Sequence, residues 1–285
     1  MAAKEKVDAC RICGSTEGQP IMTVRSTHTS TWVVCGGCGL QRLQPYPAPE
    51  VLAAYYNDSY REKDDFAAVG LSVSHRVRYS ADYEHRLHEE YALSLADVGI
   101  SVGGGMRVLD YGCADGGFLG FLAGREIESE NLYGVDISPQ MVDVVRKKGF
   151  NAYTLADQDQ LLGEMFDLIT LWDVIEHVPD PLATLRWLRP RLAENGRLLM
   201  QTPRIGLLSD ALGDRFEHYL PLEHLHLFSR EALCEASRRA GFTVERCASF
   251  GANAPAERIA MPYKLAFDRL AKASDQGATQ LAVLS

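Results

Sequence analysis

Arg107-Val108-Leu109-Asp110-Tyr111-Gly112-Cys113-Ala114-Asp115-Gly116-Gly117 decides the fold. Val108 and Leu109 end a hydrophobic run and read as a buried strand. Gly112 and Gly116 suit a tight turn in which a Cβ would obstruct the backbone or a ligand. Phe118, Leu119, Phe121 and Leu122 follow at helical spacing. The expected turn leaves N–H groups at a helix start facing whatever lies above the strand. A second strand, Leu132-Tyr133-Gly134-Val135, ends in Asp136, 26 residues after Asp110. A carboxylate at that strand end can accept hydrogen bonds from both ribose hydroxyls of a nucleoside.

Outward from this stretch, strands and helices alternate from residue 106, the pattern of a parallel sheet covered on both faces. Ser138 and Pro139 open one helix, which stops at Gly149, and residues 150–155 form a third strand. Phe166 to Leu171 form a fourth strand, which runs into Trp172-Asp173-Val174-Ile175-Glu176-His177-Val178. Side chains just beyond the carboxyl end of such a strand sit in the ligand crevice of an open α/β sheet. Asp180 and Pro181 open the next helix. Arg197 to Gln201 form a fifth strand, and residues 204–228 are an insertion before a helix capped by Ser229. That insertion carries Tyr219-Leu-Pro-Leu-Glu223-His224-Leu-His226. If it is a strand, His224 and His226 share a face. Two last strands, near 242–248 and 279–284, complete seven.

Before this core stand Cys10-x2-Cys13 and Cys35-x2-Cys38, with 21 residues between the pairs. Two such knuckles point to a closed tetrahedral zinc site, hence a structural one. Two disulfides, a redox pair or an iron–sulfur site are the alternatives. The chain divides into a zinc ribbon (1–45), a linker and helical cap (46–105) and an α/β domain (106–285). The linker Gln44-Pro45-Tyr46-Pro47-Ala48-Pro49 is stiff. The cap holds Tyr55, Tyr56 and Tyr60, and a helix expected over 73–98 with Tyr83, Leu87, Tyr91 and Leu95 on one stripe.

Composition sets the bounds. A net charge of −9 argues against bulk attraction to nucleic acid. No apolar run is long enough to span a bilayer, and the first residues lack a signal-peptide core, so a cytoplasmic protein is expected. The 7 cysteines then suggest metal ligation and core thiols rather than a disulfide framework. No feature of the sequence sets an oligomeric state.

Val-Leu-Asp-Tyr-Gly-Cys-Ala-Asp-Gly, with the acidic strand end downstream, resembles motif I of the class I S-adenosylmethionine-dependent methyltransferases. The family pattern has glycine where this chain has Ala114. Asp173-Val-Ile-Glu176-His177-Val178 resembles a motif of the ubiquinone-biosynthesis-like and sugar C-methyltransferase groups, and zinc-ribbon members of the latter carry a Tyr-rich segment before motif I. The resemblance implies a Rossmann-like seven-stranded methyltransferase sheet, with the last strand antiparallel beside the fifth. It implies S-adenosyl-L-methionine held by Asp110, Gly112, Cys113, Gly116, Asp136, Ile137, Asp157 and Trp172, with Tyr56 and Tyr60 closing over it. His177 points to the acceptor. Glu223-His224 resembles the catalytic Glu-His of zinc-ribbon sugar C-methyltransferases, with Glu223 orienting His224 as base. Pro221 replaces the tyrosine of that motif, which puts sugar-specific chemistry in question.

Each assignment has a plainer counterpart. The tyrosines pack the cap, Asp157 lies in a solvated turn, and either histidine is a core or capping residue. A second metal site at His224 and His226 lacks a completing ligand in the sequence. The leading expectation is a methyltransferase acting on a small-molecule acceptor, a specialised metabolite or a sugar. The alternatives are a zinc-ribbon ribosomal-RNA guanine methyltransferase and a non-catalytic cofactor-binding protein. From Cys10 to Cys38 only Arg11 and Arg25 are basic, which favours the small molecule over RNA.

Overall fold

The computed structural model describes residues 7–25, 29–52, 81–251 and 261–285. Tyr56 and Tyr60 of the expected lid, with Tyr55 and the first part of the expected cap helix, lie outside the described residues.

The ribbon is an antiparallel meander of β1 (Gly18–Arg25), β2 (Thr29–Cys35) and β3 (Gln41–Gln44). α1 (Ala81–Val98) follows, amphipathic, with Leu95 and Val98 buried. Tyr91 of α1 packs edge-on against Phe118, ring centroids 4.9 Å apart, which seats the helix on the domain below.

That domain holds a seven-stranded sheet. In chain order its strands are β4 (Val108–Tyr111), β5 (Leu132–Asp136), β6 (Asn151–Thr154), β7 (Phe166–Trp172), β8 (Leu192–Pro203), β10 (Val244–Phe250) and β11 (Thr279–Leu284). Their spatial order is β10-β11-β8-β7-β4-β5-β6. β4 to β8 run parallel, and β11 pairs antiparallel with both β8 and β10. β4 is buried at every residue, as expected of a central strand covered on both faces. Val108 and Leu168 face one core, while Leu109 and Ile169 face the other. The chain leaves β4 toward β5 and returns to β4's other side as β7. The resulting switch point opens a crevice at the carboxyl ends of β4 and β7.

The helices cover both faces: α2 (Gly117–Ala123), α3 (Pro139–Lys147), α4 (Pro181–Leu188), α5 (Leu207–Leu212), α6 (Arg230–Arg239) and α7 (Met261–Ala273). Ser138, Asp180 and Ser229 cap α3, α4 and α6 by accepting from the N–H groups of Met141, Ala183 and Ala232.

Two features differ from the sequence-based expectation. The fifth strand starts earlier, at Leu192, with a register shift against β7 that takes up Asn195 and Gly196. In the 204–228 insertion, only β9 (His226–Leu227) is a strand, and it pairs with β3 as the fourth strand of the ribbon sheet. His224 precedes that strand in a turn, so the two histidines do not share a face. Residues 226–227 thus pair with β3 of the ribbon, opposite Arg42 and Gln41, rather than with a strand of the large sheet. A third core forms there from Trp32, Leu43, Leu52, Ile205, Phe216, Tyr219, Leu225, Leu227 and Ala278.

The motif I turn is conformationally demanding. Gly112 has φ +87°, and a Cβ on it would stand 2.3 Å from Val174 Cγ2. Ala114, where the family pattern carries glycine, takes φ +46°. An L side chain in that region costs about 1–2 kcal/mol. Ala114→Gly is therefore expected to stabilise the fold by up to about 1 kcal/mol after the backbone-entropy cost of glycine. Gly112→Ala is expected to destabilise it by about 2–4 kcal/mol through clash and strain together. Chemical denaturation of the two variants checks both signs.

Candidate active site and metal centre

The motif I turn spends its N–H groups inside the protein. Gly112 and Cys113 donate to the Val135 carbonyl at 2.7 and 3.0 Å, and Ala114 donates to Asp136 Oδ2 at 2.9 Å. The Ser138 N–H donates to Asp136 Oδ1 at 2.8 Å. The expectation that this turn points open N–H groups at a ligand is thus corrected for residues 112–114. Their role is to lock β4 to β5 and to aim the Asp136 carboxylate. Each Asp136 oxygen accepts one N–H here and keeps capacity for a second bond.

Gly116, at φ +82°, is the residue before α2 and faces Val145 of α3. Cys113 is buried under Gly134, where a Cβ would come within 2.6 Å of its sulfur. Asp110 lies between β4 and β7 and accepts from the Thr170 hydroxyl at 2.7 Å. Burial pushes its carboxyl up to about 7, against the pull of that hydrogen bond. Beside Asp136, Ile137 is 51% exposed, an apolar side chain left uncovered at the strand end. Asp157 is exposed beyond β6 and exchanges hydrogen bonds with Thr154. Trp172, at the end of β7, packs against Tyr91 and Phe118 at 4.9 and 5.1 Å. Its indole N–H is buried and meets no hydrogen-bond acceptor among the described residues, an oddity for a buried donor.

On the other side of the crevice the chain assembles a histidine cluster. Glu176 is fully buried and accepts from the Thr202 hydroxyl at 2.9 Å through Oε2. Burial, with help from Asp173 and Glu223, holds its carboxyl well above the usual carboxylate range. The His177 and His224 rings meet edge to face with centroids 4.8 Å apart. Nδ1 of His177 lies 2.6 Å from the Glu223 carbonyl, and Nδ1 of His224 lies 2.7 Å from the His218 carbonyl. A carbonyl only accepts, so both rings carry the proton on Nδ1 and turn an Nε2 lone pair the other way. Glu223 thus serves His177 through its main chain, and the group steadying Nδ1 of His224 is the His218 carbonyl.

Two main-chain bonds hold the pieces together: the N–H groups of Leu225 and His226 donate to the Glu176 carbonyl at 2.9 and 3.1 Å. Asp173 and Leu222, on either side of the cluster, take φ +51° and +72°. Non-glycine residues in this region gather at functional sites. The sequence offered no signal for Thr202, which acts through a contact 26 residues away, nor for the irregular turn that sets the His218 carbonyl and the Leu222 conformation.

The ribbon cysteines form the second centre. Sγ of Cys10 lies 3.7 Å from Sγ of Cys38, and that of Cys13 lies 3.4 Å from that of Cys35. Four sulfurs about 2.3 Å from a tetrahedral zinc stand about 3.8 Å apart, so the cluster fits the ion. Both knuckles repeat one geometry. Gly14 N–H donates to the Cys10 carbonyl at 2.7 Å and Gly39 N–H to the Cys35 carbonyl at 3.0 Å, with φ +75° and +74°. The Cys38 thiol, donating to Cys10, holds the Cys10 thiol down at about 5. Among the described residues, these four and the group Glu176, His177 and His224 are the sets arranged to hold a metal.

Burial holds His224 down to about 3 and His218 to about 4. A histidine pKa lowered on folding makes the unfolded chain the better proton binder. Each ring thus withdraws stability as pH falls from about 6.5 toward its folded value. Asp110, raised to about 7, adds stability over the same fall. The direct check is imidazole 15N NMR: His224 is expected to stay the neutral Nδ1–H tautomer at pH 5. Chelator removal of one zinc per chain, or Cys35→Ser, is expected to unfold the ribbon meander and expose β9 to limited proteolysis.

The family described as a methyltransferase domain matches residues 83–246, more than half of the chain. Among curated relatives, the ubiquinone biosynthesis O-methyltransferase of Xanthomonas oryzae pv. oryzae is 33% identical over 106 residues, covering 34% of this chain and 43% of that protein. The same enzyme of Actinobacillus pleuropneumoniae is 32% identical over 110 residues, covering 34% and 46%. The match thus spans less than half the length of these relatives. Two solved structures share the fold. Magnesium protoporphyrin IX methyltransferase of Synechocystis PCC 6803, with bound SAH, has TM-score 0.52, 16% identity, and coverage of 83% of this chain and 99% of that one. A SAM-dependent methyltransferase of Archaeoglobus fulgidus has TM-score 0.52, 19% identity, and coverage of 80% and 99%. With its switch-point crevice, motif I turn and acidic second strand, the chain belongs to the methyltransferase-domain family, in its class I S-adenosylmethionine-dependent form.

Proposed function

We propose that the protein transfers the methyl group of S-adenosyl-L-methionine to a small-molecule acceptor. The observation that carries this reading is the meeting of two features at the carboxyl ends of the parallel strands: the Asp136 carboxylate, aimed by two N–H groups at the end of β5, and a buried Glu–His–His cluster just beyond β7.

On the cofactor side, Asp136 is placed to take the ribose hydroxyls, and Ile137 offers an apolar face for the base. Asp157 lies within the same rim. The unpartnered Trp172 N–H supplies a donor for the polar end of the ligand. Gly112, Cys113 and Gly116 shape the floor, and Asp110 supports it from beneath. When bound, S-adenosyl-L-methionine supplies an electrophilic methyl carbon. The protein's part is to hold the nucleophile in line, exclude water and take the acceptor's proton. The Nε2 lone pairs of His177 and His224 are suited to that last step, and His177 is the more accessible, with its side chain 25% exposed. Burial keeps His224 neutral at physiological pH, and the same burial opposes its taking a proton.

The choice of a small molecule over RNA is supported by the fate of the ribbon's basic groups. Arg11 donates to the Pro179 carbonyl and covers the Tyr46 ring, and Arg42 is fully buried. Arg42 is thereby withheld from a phosphate backbone, and Arg11 is partly engaged within the protein. The ribbon zinc is structural in this reading, since all four positions go to sulfur. Among the described residues no helix is long and apolar enough to cross a membrane, and cysteine usage leads us to place the protein in the cytoplasm.

Methyl-labelled S-adenosylmethionine, incubated with purified protein and cell extract, tests the reading. Label is expected in the small-molecule fraction, and label confined to RNA overturns it. Asp136→Ala is expected to weaken cofactor binding at least tenfold, about 1.4 kcal/mol or more, measured by calorimetry. His177→Ala and His224→Ala are expected to lower turnover by about 100-fold or more with cofactor affinity near wild type. Near-normal turnover in both variants removes the base assignment.

A further inference from the structure

Glu176, His177 and His224 come from two segments and point at one another. One donor atom from each lies within 4.8 Å of the other two, and Glu176 Oε1 is 3.8 Å from His177 Nε2. Oε1 is buried and meets no hydrogen-bond donor among the described residues. Ionising a carboxyl buried in this way costs several kcal/mol unless a counter-charge or donors replace the water, and a bound cation is such a counter-charge. Among the described residues, no lysine or arginine is ion-paired with Glu176.

The surroundings are those of ligands rather than of a self-contained polar core. Both imidazoles give their Nδ1 proton to a backbone carbonyl, which fixes the tautomer and directs Nε2 as a lone-pair donor. A ligating histidine is held in this way in most protein metal sites. The second oxygen of Glu176 is held by Thr202, so the carboxylate also has its outer partner. The two segments cannot drift apart freely, because the Leu225 and His226 N–H groups are bonded to the Glu176 carbonyl. Donors sharing one ion at about 2.1 Å stand about 3–4 Å apart, a closure that side-chain torsions supply.

We propose that Glu176, His177 and His224 bind a divalent first-row transition cation, at a site separate from the four-cysteine centre. Two imidazoles and one carboxylate suit zinc, iron, manganese or cobalt better than magnesium or calcium, which favour all-oxygen shells. Three protein ligands leave a coordination position for water or an acceptor oxygen. The partly exposed edge of His177 is the path by which the ion enters. Where the ion is bound, the two imidazoles act on the acceptor through it rather than as free bases. The proposal rests on the cluster's geometry and does not need the methyltransferase reading to hold.

Cobalt titration of the metal-stripped full-length protein, followed by absorption, tests it. Cobalt in the four-cysteine centre gives strong thiolate charge-transfer bands, and cobalt bound by nitrogen and oxygen gives only weak ligand-field bands. Two equivalents are expected in the wild type, the second without thiolate bands. Glu176→Gln and His177→Asn are each expected to abolish that second equivalent while retaining the first and the wild-type S-adenosylmethionine affinity. Thr202→Val is expected to weaken it about tenfold or more. A wild type that binds one equivalent only, or a second equivalent that survives both ligand variants, overturns the site. The wild-type stoichiometry decides even if a variant fails to fold. A wild type that binds the cofactor but takes up only one equivalent of cobalt refutes this proposal and leaves the methyltransferase reading standing.

Discussion

The acceptor side of this protein depends on a two-residue strand. β9 leaves the α/β domain, pairs with β3 of the ribbon, and is tied at its start to the Glu176 carbonyl. Backbone bonds of this kind contribute about 1 kcal/mol each, too little to fix a 25-residue insertion against its entropy. The larger contribution is the core beneath it. Trp32 and Leu43 of the ribbon bury Phe216, Tyr219, Leu225 and Leu227 of the insertion, each apolar side chain contributing about 1.5–3 kcal/mol. Trp32 and Tyr219 meet edge-on at 5.3 Å, and the Tyr219 hydroxyl donates to Gln41 at 2.7 Å. The ribbon thus forms the wall on which His224 is mounted.

A zinc ion held by the four cysteines would have a consequence far from the metal. β2 ends at Cys35 and β3 starts three residues beyond Cys38. The knuckle between them sets the register in which β3 meets β9. A segment of this size has little core of its own, so its order depends on the metal. Loss of the ion would free β3, then β9, then the carbonyl of His218 that holds His224.

The two halves of the crevice differ in how they are built. The β5 side is made from neighbours in the sheet: the turn after β4 donates to Val135 and Asp136, so a stretch of about 26 residues builds its own ligand floor. The histidine side is made from three remote pieces, the turn after β7, the end of β8 and the insertion. Burial raises carboxyls on both sides, Asp110 and Asp136 on one and Glu176 on the other, while the lowered imidazoles of His218 and His224 gather on the histidine side, and perturbed groups mark functional sites. In the proposed reading, the carboxyl end of the sheet carries a generic nucleoside site and a chain-specific acceptor site.

The sequence by itself determined the elements. Val108–Leu109 and Leu168–Ile169 place apolar side chains on both faces, which suits central strands covered on both sides. Ser138, Asp180 and Ser229 start helices because their side chains accept from N–H groups three residues on, and the paired knuckles follow from cysteine spacing. All of these are local, readable from residues within a turn of one another. The tertiary structure alone decided that His226 joins the ribbon, that His224 turns away from it to meet His177, and that Glu176 is left buried with an open oxygen. It also decided that the motif I N–H groups are spent on β5. Those outcomes depend on which distant backbone group reaches an unpaired partner first, and periodicity carries no information about that.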